Sequence, residues 1–199
     1  MTTICYRDNL LAADQAITNF EGNDASSREF VCKISLHEVS RTSRMAIATS
    51  GDTVDGVMVE RAIAASMKEA LAQQEQPNLD LFGWPEWDCW NSGLAQKNLT
   101  DPKGVCRGVI LYRDLENEKG IHAWSFFDHR VIKRVPKGQF VAVGCDALPA
   151  NAAMEMGADA ILAVWVACKY GAYSSGPVNF INAATMILNT QRVNPLERP

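Results

Sequence analysis

The chain has 199 residues, a formal net charge of −4 and a sequence pI near 5.4, and its length suits one ordinary domain. Apolar residues make up 47% and charged residues 21%, which is typical of a globular protein and excludes wholesale disorder. The mild acidity disfavours nucleic-acid binding, because phosphates require a basic face and the Lys and Arg residues here are scattered.

The first half of the chain is predicted to contain short strands followed by one long helix. Two apolar runs joined by a turn-compatible tripeptide indicate a hairpin of strands over 3–6 and 10–13. Alternating side chains predict a further strand over 30–36, and another apolar run predicts one over 45–49. Apolar residues then recur at helical spacing, which predicts a helix over 53–74.

Residues 76–104 form an irregular segment that holds Trp84, Trp87 and Trp90 among Pro, Gly and Asn residues. A loop of this length is uncommon unless it serves as a lid, an interface or a disordered insert. The three tryptophans would form a large apolar patch. Two interpretations remain: a satellite core over its own domain, or a contact between subunits, which we favour because Trp is enriched among interface anchors.

The second half returns to strands and then to helices. The predicted elements are strands 105–112, 121–126, 131–135 and 140–143, helices 149–156 and 159–170, and a last strand pair, 178–182 and 185–190. Strands and helices come in blocks and do not alternate one by one. This order predicts an α+β fold with helices on sheet faces, in a single domain over residues 1–199 that carries the insert at 76–104.

Several other functions find no support in the sequence. The six cysteines are dispersed without a Cys-x-x-Cys pair, so we expect free thiols in a reducing compartment. The three histidines are far apart, and the familiar phosphate-binding, zinc-protease and serine-hydrolase motifs are absent, so we expect no metal or organic cofactor. With no apolar run of about 18–20 residues and no secretory signal, we expect a cytoplasmic protein without membrane contact.

The N-terminus offers more specific chemistry. Thr2 is small enough for Met1 to be removed, which would leave a free α-amine at the start of a strand. Such a threonine carries its own base, since the amine, with an unperturbed pKa of about 7.7–8.0, can accept the proton of the nucleophilic hydroxyl. Lys33, Asp14 and Gly51 could supply a cation that keeps the amine neutral, a carboxylate that holds this cation, and an oxyanion-binding N–H. Each also has an ordinary interpretation: Lys33 as a solvated residue of an edge strand, Asp14 as the cap of a turn, and Gly51 as a residue required by the backbone conformation of a turn.

Six segments of the chain, in the same order, resemble those of a known family. They are Thr2-Thr3-Ile4, Leu11-Ala12-Ala13-Asp14, Val31-Cys32-Lys33-Ile34, Ser50-Gly51-Asp52-Thr53-Val54-Asp55, Val141-Ala142-Val143-Gly144-Cys145-Asp146 and Ala172-Tyr173-Ser174-Ser175-Gly176-Pro177-Val178. This pattern resembles proteasome β-type subunits and the bacterial HslV-type peptidases, which are N-terminal nucleophile hydrolases. The resemblance spans residues 2–74 and 105–182. It implies a four-layer αββα sandwich, with helices such as 53–74 and 149–170 outside two stacked antiparallel sheets.

The resemblance also implies a role for each candidate catalytic residue. Thr2 would be the nucleophile and, through its amine, the general base, while Lys33 would tune the pKa of this amine. Asp14 would orient Lys33, the N–H of Gly51 would line the oxyanion hole, and Ser174 would belong to the same site.

Substrate contacts follow from the same resemblance. Thr18 would contact the substrate backbone, and Thr49 would approach the first side-chain pocket together with Ile17, Val31 and Thr53. Because these residues are small to medium and uncharged, we expect an apolar side chain before the cleaved bond.

Three functions remain open at this point. The first is a threonine-type endopeptidase that cleaves peptides or unfolded proteins inside a homo-oligomeric ring, with an ATP-dependent unfoldase as a candidate partner. The second is a catalytically inactive proteasome-like subunit with an assembly or binding role. It is favoured by Cys145, where the family has Ser, and by Gly171, where proteasome subunits have Asp. The third is an amidase for small molecules.

Overall fold

A computed structural model of the chain describes residues 2–21, 24–51, 53–72, 106–117, 120–127 and 131–192. The tryptophan-containing insert at 76–104 lies outside these residues. The choice between a subunit contact and a satellite core for Trp84, Trp87 and Trp90 therefore stays a prediction.

The first sheet contains the N-terminal strand and is antiparallel throughout. Its strand order is β10-β1-β2-β11-β12, formed by β1 (Thr3–Arg7), β2 (Leu10–Asp14), β10 (Phe140–Gly144), β11 (Val178–Asn182) and β12 (Ile187–Gln191). The predicted hairpin of β1 and β2 is confirmed. Its two turn residues, Asp8 and Asn9, have φ angles of 48° and 68°, as a two-residue turn between twisted strands requires.

The second sheet is also antiparallel and five-stranded, with its strands in chain order. These are β5 (Ile34–Glu38), β6 (Ser43–Ser50), β7 (Arg107–Asp114), β8 (Ile121–Phe127) and β9 (Val131–Arg134). A separate two-stranded ribbon joins β3 (Ala16–Glu21) to β4 (Asp24–Phe30). The predicted single strand over 30–36 is therefore wrong, because the chain leaves β4 at Phe30 and enters β5 only at Ile34, with Lys33 between them.

Three helices complete the described part of the chain: α1 (Thr53–Ala72), α2 (Ala147–Glu155) and α3 (Ala160–Tyr170). Asp159 caps α3, since its carboxylate accepts a hydrogen bond of 2.8 Å from the N–H of Leu162. None of these helices combines the length and the apolar character that crossing a membrane would require.

Apolar side chains pack on both faces of each sheet. Ile4 and Leu11 of the first sheet meet Val109 and Leu111 of the second in one buried cluster, so the two sheets stack face to face. On the outer face of the second sheet, α1 buries residues such as Ile63. On the outer face of the first sheet, α2 and α3 pack against β1 and β2. The stacked sheets fix the start of β1, and with it Thr2, at the rim of the core.

The predicted fold class needs correction. The described residues contain twelve strands and only three helices. Two of these helices are short, with nine and eleven residues. The helices leave the edge strand β12 exposed along nearly all of its length. The protein is mostly β, with two antiparallel five-stranded sheets, and not the four-layer αββα sandwich of N-terminal nucleophile hydrolases. The helical segments visible in the sequence are too few and too short to form complete layers.

Candidate active site at the N-terminus

Thr2 and Lys33 are in direct contact. Thr2 lies immediately before β1 and is buried, with 4% of its surface exposed. The ammonium group of Lys33 donates hydrogen bonds to Oγ1 of Thr2 and to the carbonyl oxygen of Ala16. The carbonyl of Lys33 accepts a hydrogen bond of 3.4 Å from the N–H of Thr49, which anchors this residue beside the end of β6. A cation is therefore directed at the threonine hydroxyl.

Asp14 lies behind this pair and is completely buried at the end of β2. Its Oδ1 accepts a hydrogen bond of 2.8 Å from the N–H of Thr3 and lies 4.0 Å from Nζ of Lys33. Its Oδ2 accepts bonds of 3.2 Å from the N–H groups of Ala16 and Ser175. These four groups compensate the cost of burying the carboxylate.

Burial controls the titration of both members of this ion pair. It raises the pKa of Asp14, while the charge of Lys33 and the three N–H donors oppose the rise. It lowers the pKa of Lys33, and the Asp14 carboxylate opposes this change. Each partner thus holds its charge less strongly than in water, and each depends on the other to keep it. Loss of either charge should therefore affect the other partner.

The carbonyl oxygen of Thr2 is also held by hydrogen bonds. It accepts a hydrogen bond of 3.0 Å from the hydroxyl of Ser50 and one of 3.2 Å from the N–H of Cys145. Gly51 directly follows Ser50 in the chain, and its φ of 126° is one that residues with a side chain rarely adopt. Thr2, Asp14 and Lys33 therefore lie together, Gly51 follows the residue that holds the Thr2 carbonyl, and the catalytic roles of all four remain predictions.

Gly144 provides a test of how tightly Thr2 is held. A Cβ at this position would lie 1.8 Å from the carbonyl oxygen of Thr2, whereas a Cβ at Gly138 would meet nothing within 4 Å, and both glycines have positive φ. We expect Gly138→Ala to cost about 1–2 kcal/mol, the backbone penalty alone. Gly144→Ala should cost about 1–3 kcal/mol more, because overpacking is added to the same penalty.

Thermal unfolding of the two variants measures this difference. At about 2–4 °C of Tm per kcal/mol for a chain of this size, Gly144→Ala should melt well below Gly138→Ala. Equal melting temperatures would contradict the close approach of β10 to Thr2.

Ser174 contacts the neighbour of Thr2 and not Thr2 itself. It is buried, and its Oγ lies 2.7 Å from Oγ1 of Thr3 in a hydrogen bond. The adjacent Ser175 donates its N–H to Asp14. The segment predicted to belong to the site therefore supports it from behind, through Thr3 and Asp14.

The predicted substrate contacts are placed in part. The backbone of Thr18 lies in β3 opposite Arg28, but the side chains of Thr18, Ile17 and Thr53 lie outside the described residues. Thr49 lies in β6, and its Oγ1 donates a hydrogen bond of 2.9 Å to Oε1 of Glu60 in α1. This carboxyl group was not predicted from the sequence, and burial raises its pKa. The preference for apolar substrate side chains stays a prediction.

Two further polar residues of the site were missed as well. Ser50 was noted only as part of a motif, although its hydroxyl holds the Thr2 carbonyl. Asp146 was likewise only the last residue of a motif, yet its buried carboxylate accepts hydrogen bonds from the N–H groups of residues 172–174. Their positions directly beside Gly51 and Cys145 were the only signal in the sequence.

A thiol nucleophile is a poor alternative at the buried end of this site. Burial, then the charges of Asp14 and Asp146, raises the pKa of Cys168 to about 12, so this thiol is protonated at neutral pH. The five cysteines within the described ranges are free thiols, and Cys89 lies outside those ranges. In the same described ranges, no group of three or more His, Cys, Asp and Glu side chains is arranged to hold a metal ion.

Comparison with known proteins places the fold. No family model and no curated protein matches the sequence. Among solved structures, an Anbu Gly-1 mutant from Hyphomicrobium sp. strain MC1 matches with a TM-score of 0.67 and 10% identity, over 98% of this chain and 88% of that one. A helical assembly of the Anbu complex from Pseudomonas aeruginosa matches with a TM-score of 0.64 and 8% identity, over 99% of this chain and 88% of that one. An Anbu protein from Yersinia bercovieri, described as an ancestral β-subunit, matches with a TM-score of 0.58 and 9% identity, over 98% of this chain and 87% of that one. All three are Anbu proteins.

These matches correct the resemblance inferred from the motifs. The matched structures named above are Anbu proteins, so the assignment to proteasome β-type or HslV-type subunits is wrong. The six motifs specify strand ends and tight turns, and such local geometry does not separate one group of related folds from another. At 8–10% identity, the likeness to Anbu establishes the fold alone.

Proposed function

We propose that this chain is a proteasome-like subunit of a homo-oligomer, in which Thr2 hydrolyses amide bonds in peptides once Met1 has been removed. The observation that carries the proposal is the contact of the Lys33 ammonium with Oγ1 of Thr2, with the buried Asp14 carboxylate 4.0 Å behind Nζ. A lysine with a lowered pKa beside a hydroxyl and a buried carboxylate is an arrangement found more often at reactive centres than in ordinary cores.

The proposed reaction uses only groups of this chain and a water molecule. Oγ1 of Thr2 attacks the peptide carbonyl carbon while its proton moves to the α-amine, and the N–H of Gly51 stabilises the oxyanion. The C–N bond then breaks, and the leaving amine takes the proton from the α-ammonium group. Water attacks the resulting ester, with the α-amine again acting as the base, and releases the carboxylic acid and free Thr2.

Removal of Met1 is the first requirement, and mass spectrometry tests it directly. We expect the intact mass of the purified protein to lack one methionine. A peptide β-lactone, which acylates nucleophilic hydroxyl groups, should then add once per chain, and tandem mass spectrometry should place the adduct on Thr2. An otherwise identical chain with an uncleaved N-terminal tag is the control, because its Thr2 nitrogen remains an amide. Quantitative retention of Met1, or labelling of other residues only, would contradict the proposal.

A second candidate is a subunit that assembles without catalysing hydrolysis. One of the structural neighbours, Anbu from Pseudomonas aeruginosa, is described as a helical assembly, and this chain matches 88% of its length. Sedimentation velocity of the same sample separates the candidates. Particles much larger than the 21.9 kDa chain that carry an unlabelled Thr2 favour the second candidate, and a labelled monomer would refute assembly for both.

A further inference from the structure

Asp146 collects three backbone donors that follow one another along the chain. It lies between β10 and α2 and is only 6% exposed. Its Oδ1 accepts a hydrogen bond of 3.1 Å from the N–H of Ala172, and its Oδ2 accepts bonds of 3.0 and 2.6 Å from those of Tyr173 and Ser174. Hydrogen bonds to a charged acceptor are about twice as strong as those between neutral groups, so this turn is held mainly by one carboxylate.

Gly171 shows that space has been left for this carboxylate. A Cβ at position 171 would lie 2.2 Å from Cγ of Asp146, 2.6 Å from its Oδ1 and 2.5 Å from the carbonyl oxygen of Ala167. The φ of Gly171 is −83°, which any residue can adopt, so the missing side chain answers a requirement for space and not for conformation. The carboxylate at 146 and a side chain at 171 exclude one another.

The segment that Asp146 holds continues directly to the site of Thr2. Ser174 hydrogen-bonds Oγ1 of Thr3 at 2.7 Å, and Ser175 donates its N–H to Oδ2 of Asp14 at 3.2 Å. The other oxygen of Asp14 accepts the N–H of Thr3 and faces Lys33. Four consecutive N–H groups, those of residues 172–175, thus connect the two buried carboxylates of the site.

We propose that Asp146 is a positioning residue for Thr2: by fixing residues 172–175 it holds the Asp14 carboxylate, and through it Lys33, in register with the Thr2 hydroxyl. The expected effect of Asp146 on the reactivity of Thr2 rests on the function proposed above. Its expected effect on the order of residues 172–175 rests on the hydrogen bonds alone. Asp146 makes no contact with the reacting atoms. Its influence is one of placement, and a shift of about 1 Å at a reacting group can cost about 100-fold in rate.

Two variants disturb this arrangement in different ways. Asp146→Asn preserves the size of the side chain but replaces one acceptor oxygen with an NH₂ group that cannot accept a hydrogen bond. Gly171→Ala leaves Asp146 itself unchanged and places a methyl group in the space of its carboxylate and 2.5 Å from the carbonyl oxygen of Ala167, so it serves as the second variant should the first fail to fold. Asp159→Asn is the matched control, because Asp159 also accepts a backbone N–H, that of Leu162, away from Thr2.

The experiment measures amide hydrogen exchange and the rate of Thr2 labelling by the peptide β-lactone on the assembled protein. In both variants we expect faster exchange at residues 172–174 and at Thr3, and labelling slower by about 10- to 100-fold. Asp159→Asn should change exchange near Leu162 only and label at the normal rate.

The two readouts separate failure of this inference from failure of the proposed function. Unchanged exchange at 172–174 overturns the inference, and so does faster exchange with unchanged labelling, since Asp146 would then have a structural role only. If Thr2 of the unmodified sequence is not labelled at all, the proposed function fails, and exchange of the Thr3 amide decides the inference. This amide donates to Asp14, so faster exchange in Asp146→Asn supports the link from Asp146 to Asp14 and an unchanged rate refutes it.

Discussion

Replacing Thr2 with Ala should reduce hydrolysis of a fluorogenic peptide to the uncatalysed background, a loss of at least about 10⁴-fold. The change removes the hydroxyl that Lys33 contacts, and a methyl group cannot form the acyl ester. The fold should survive, because the contacts of Thr2 with Ser50 and Cys145 use its backbone carbonyl, which alanine retains. Circular dichroism and sedimentation of the variant verify that folding and assembly are unchanged.

Two further substitutions show whether the loss is specific to the hydroxyl of Thr2. Thr2→Ser retains a hydroxyl and an α-amine and should keep measurable activity. Thr185→Ala makes the same chemical change at an exposed threonine in the turn between β11 and β12, where the hydroxyl makes only two hydrogen bonds of 3.4 Å, and should leave activity unchanged. Substantial turnover by Thr2→Ala would refute the role of Thr2 as nucleophile.

The elements predicted correctly from the sequence are those whose side chains repeat with a clear period and are buried. The β1–β2 hairpin, the long helix α1 and the two helices α2 and α3 all have apolar positions that pack into one of the three buried clusters. The β3–β4 ribbon escaped prediction because β4 consists of Asp24–Phe30, mostly polar residues with low strand propensity, and its register is set by backbone pairing with β3.

Some residues of the candidate site could be predicted from the sequence and others could not, for a similar physical reason. Asp14 and Lys33 could be predicted because buried or strand-flanking charges are unusual in a sequence, although Lys33 lies in the break before β5 and not within a strand. Asp146 could not, because the groups it binds are backbone N–H groups 26–28 residues further along, which are the same whatever the side chains. Only the tertiary fold brings them to the carboxylate.

Removing the charge of Lys33 should be almost as damaging as removing the hydroxyl of Thr2. Lys33→Met, which is similar in size and uncharged, should reduce hydrolysis by about 10²–10⁴-fold, the range for loss of proton-transfer assistance. In the unmodified protein the Lys33 ammonium group contacts Oγ1 of Thr2, and the α-amine that acts as the base also belongs to Thr2. A neighbouring positive charge disfavours protonation of that amine and so lowers its pKa.

The pH profile distinguishes this effect from a simple loss of packing. Without the Lys33 charge, the pKa of the α-amine should rise towards its ordinary value of about 7.7–8.0. The amine must be neutral to act as a base, so the acid limb of the activity profile should move to higher pH, and the loss should be greater at pH 6.5 than at pH 8.5. Lys137→Met, at an exposed lysine in the turn between β9 and β10, should leave the profile unchanged.

Asp14→Asn should also slow hydrolysis although it leaves the lysine in place. The Asp14 carboxylate faces Nζ of Lys33 and accepts the N–H of Thr3, so its loss removes the group that holds the lysine against the Thr2 hydroxyl. Burial already lowers the pKa of Lys33, and the Asp14 carboxylate is the first force that opposes this change. An acid limb that stays in place in Lys33→Met would refute the electrostatic role of this lysine, even if both variants are slow.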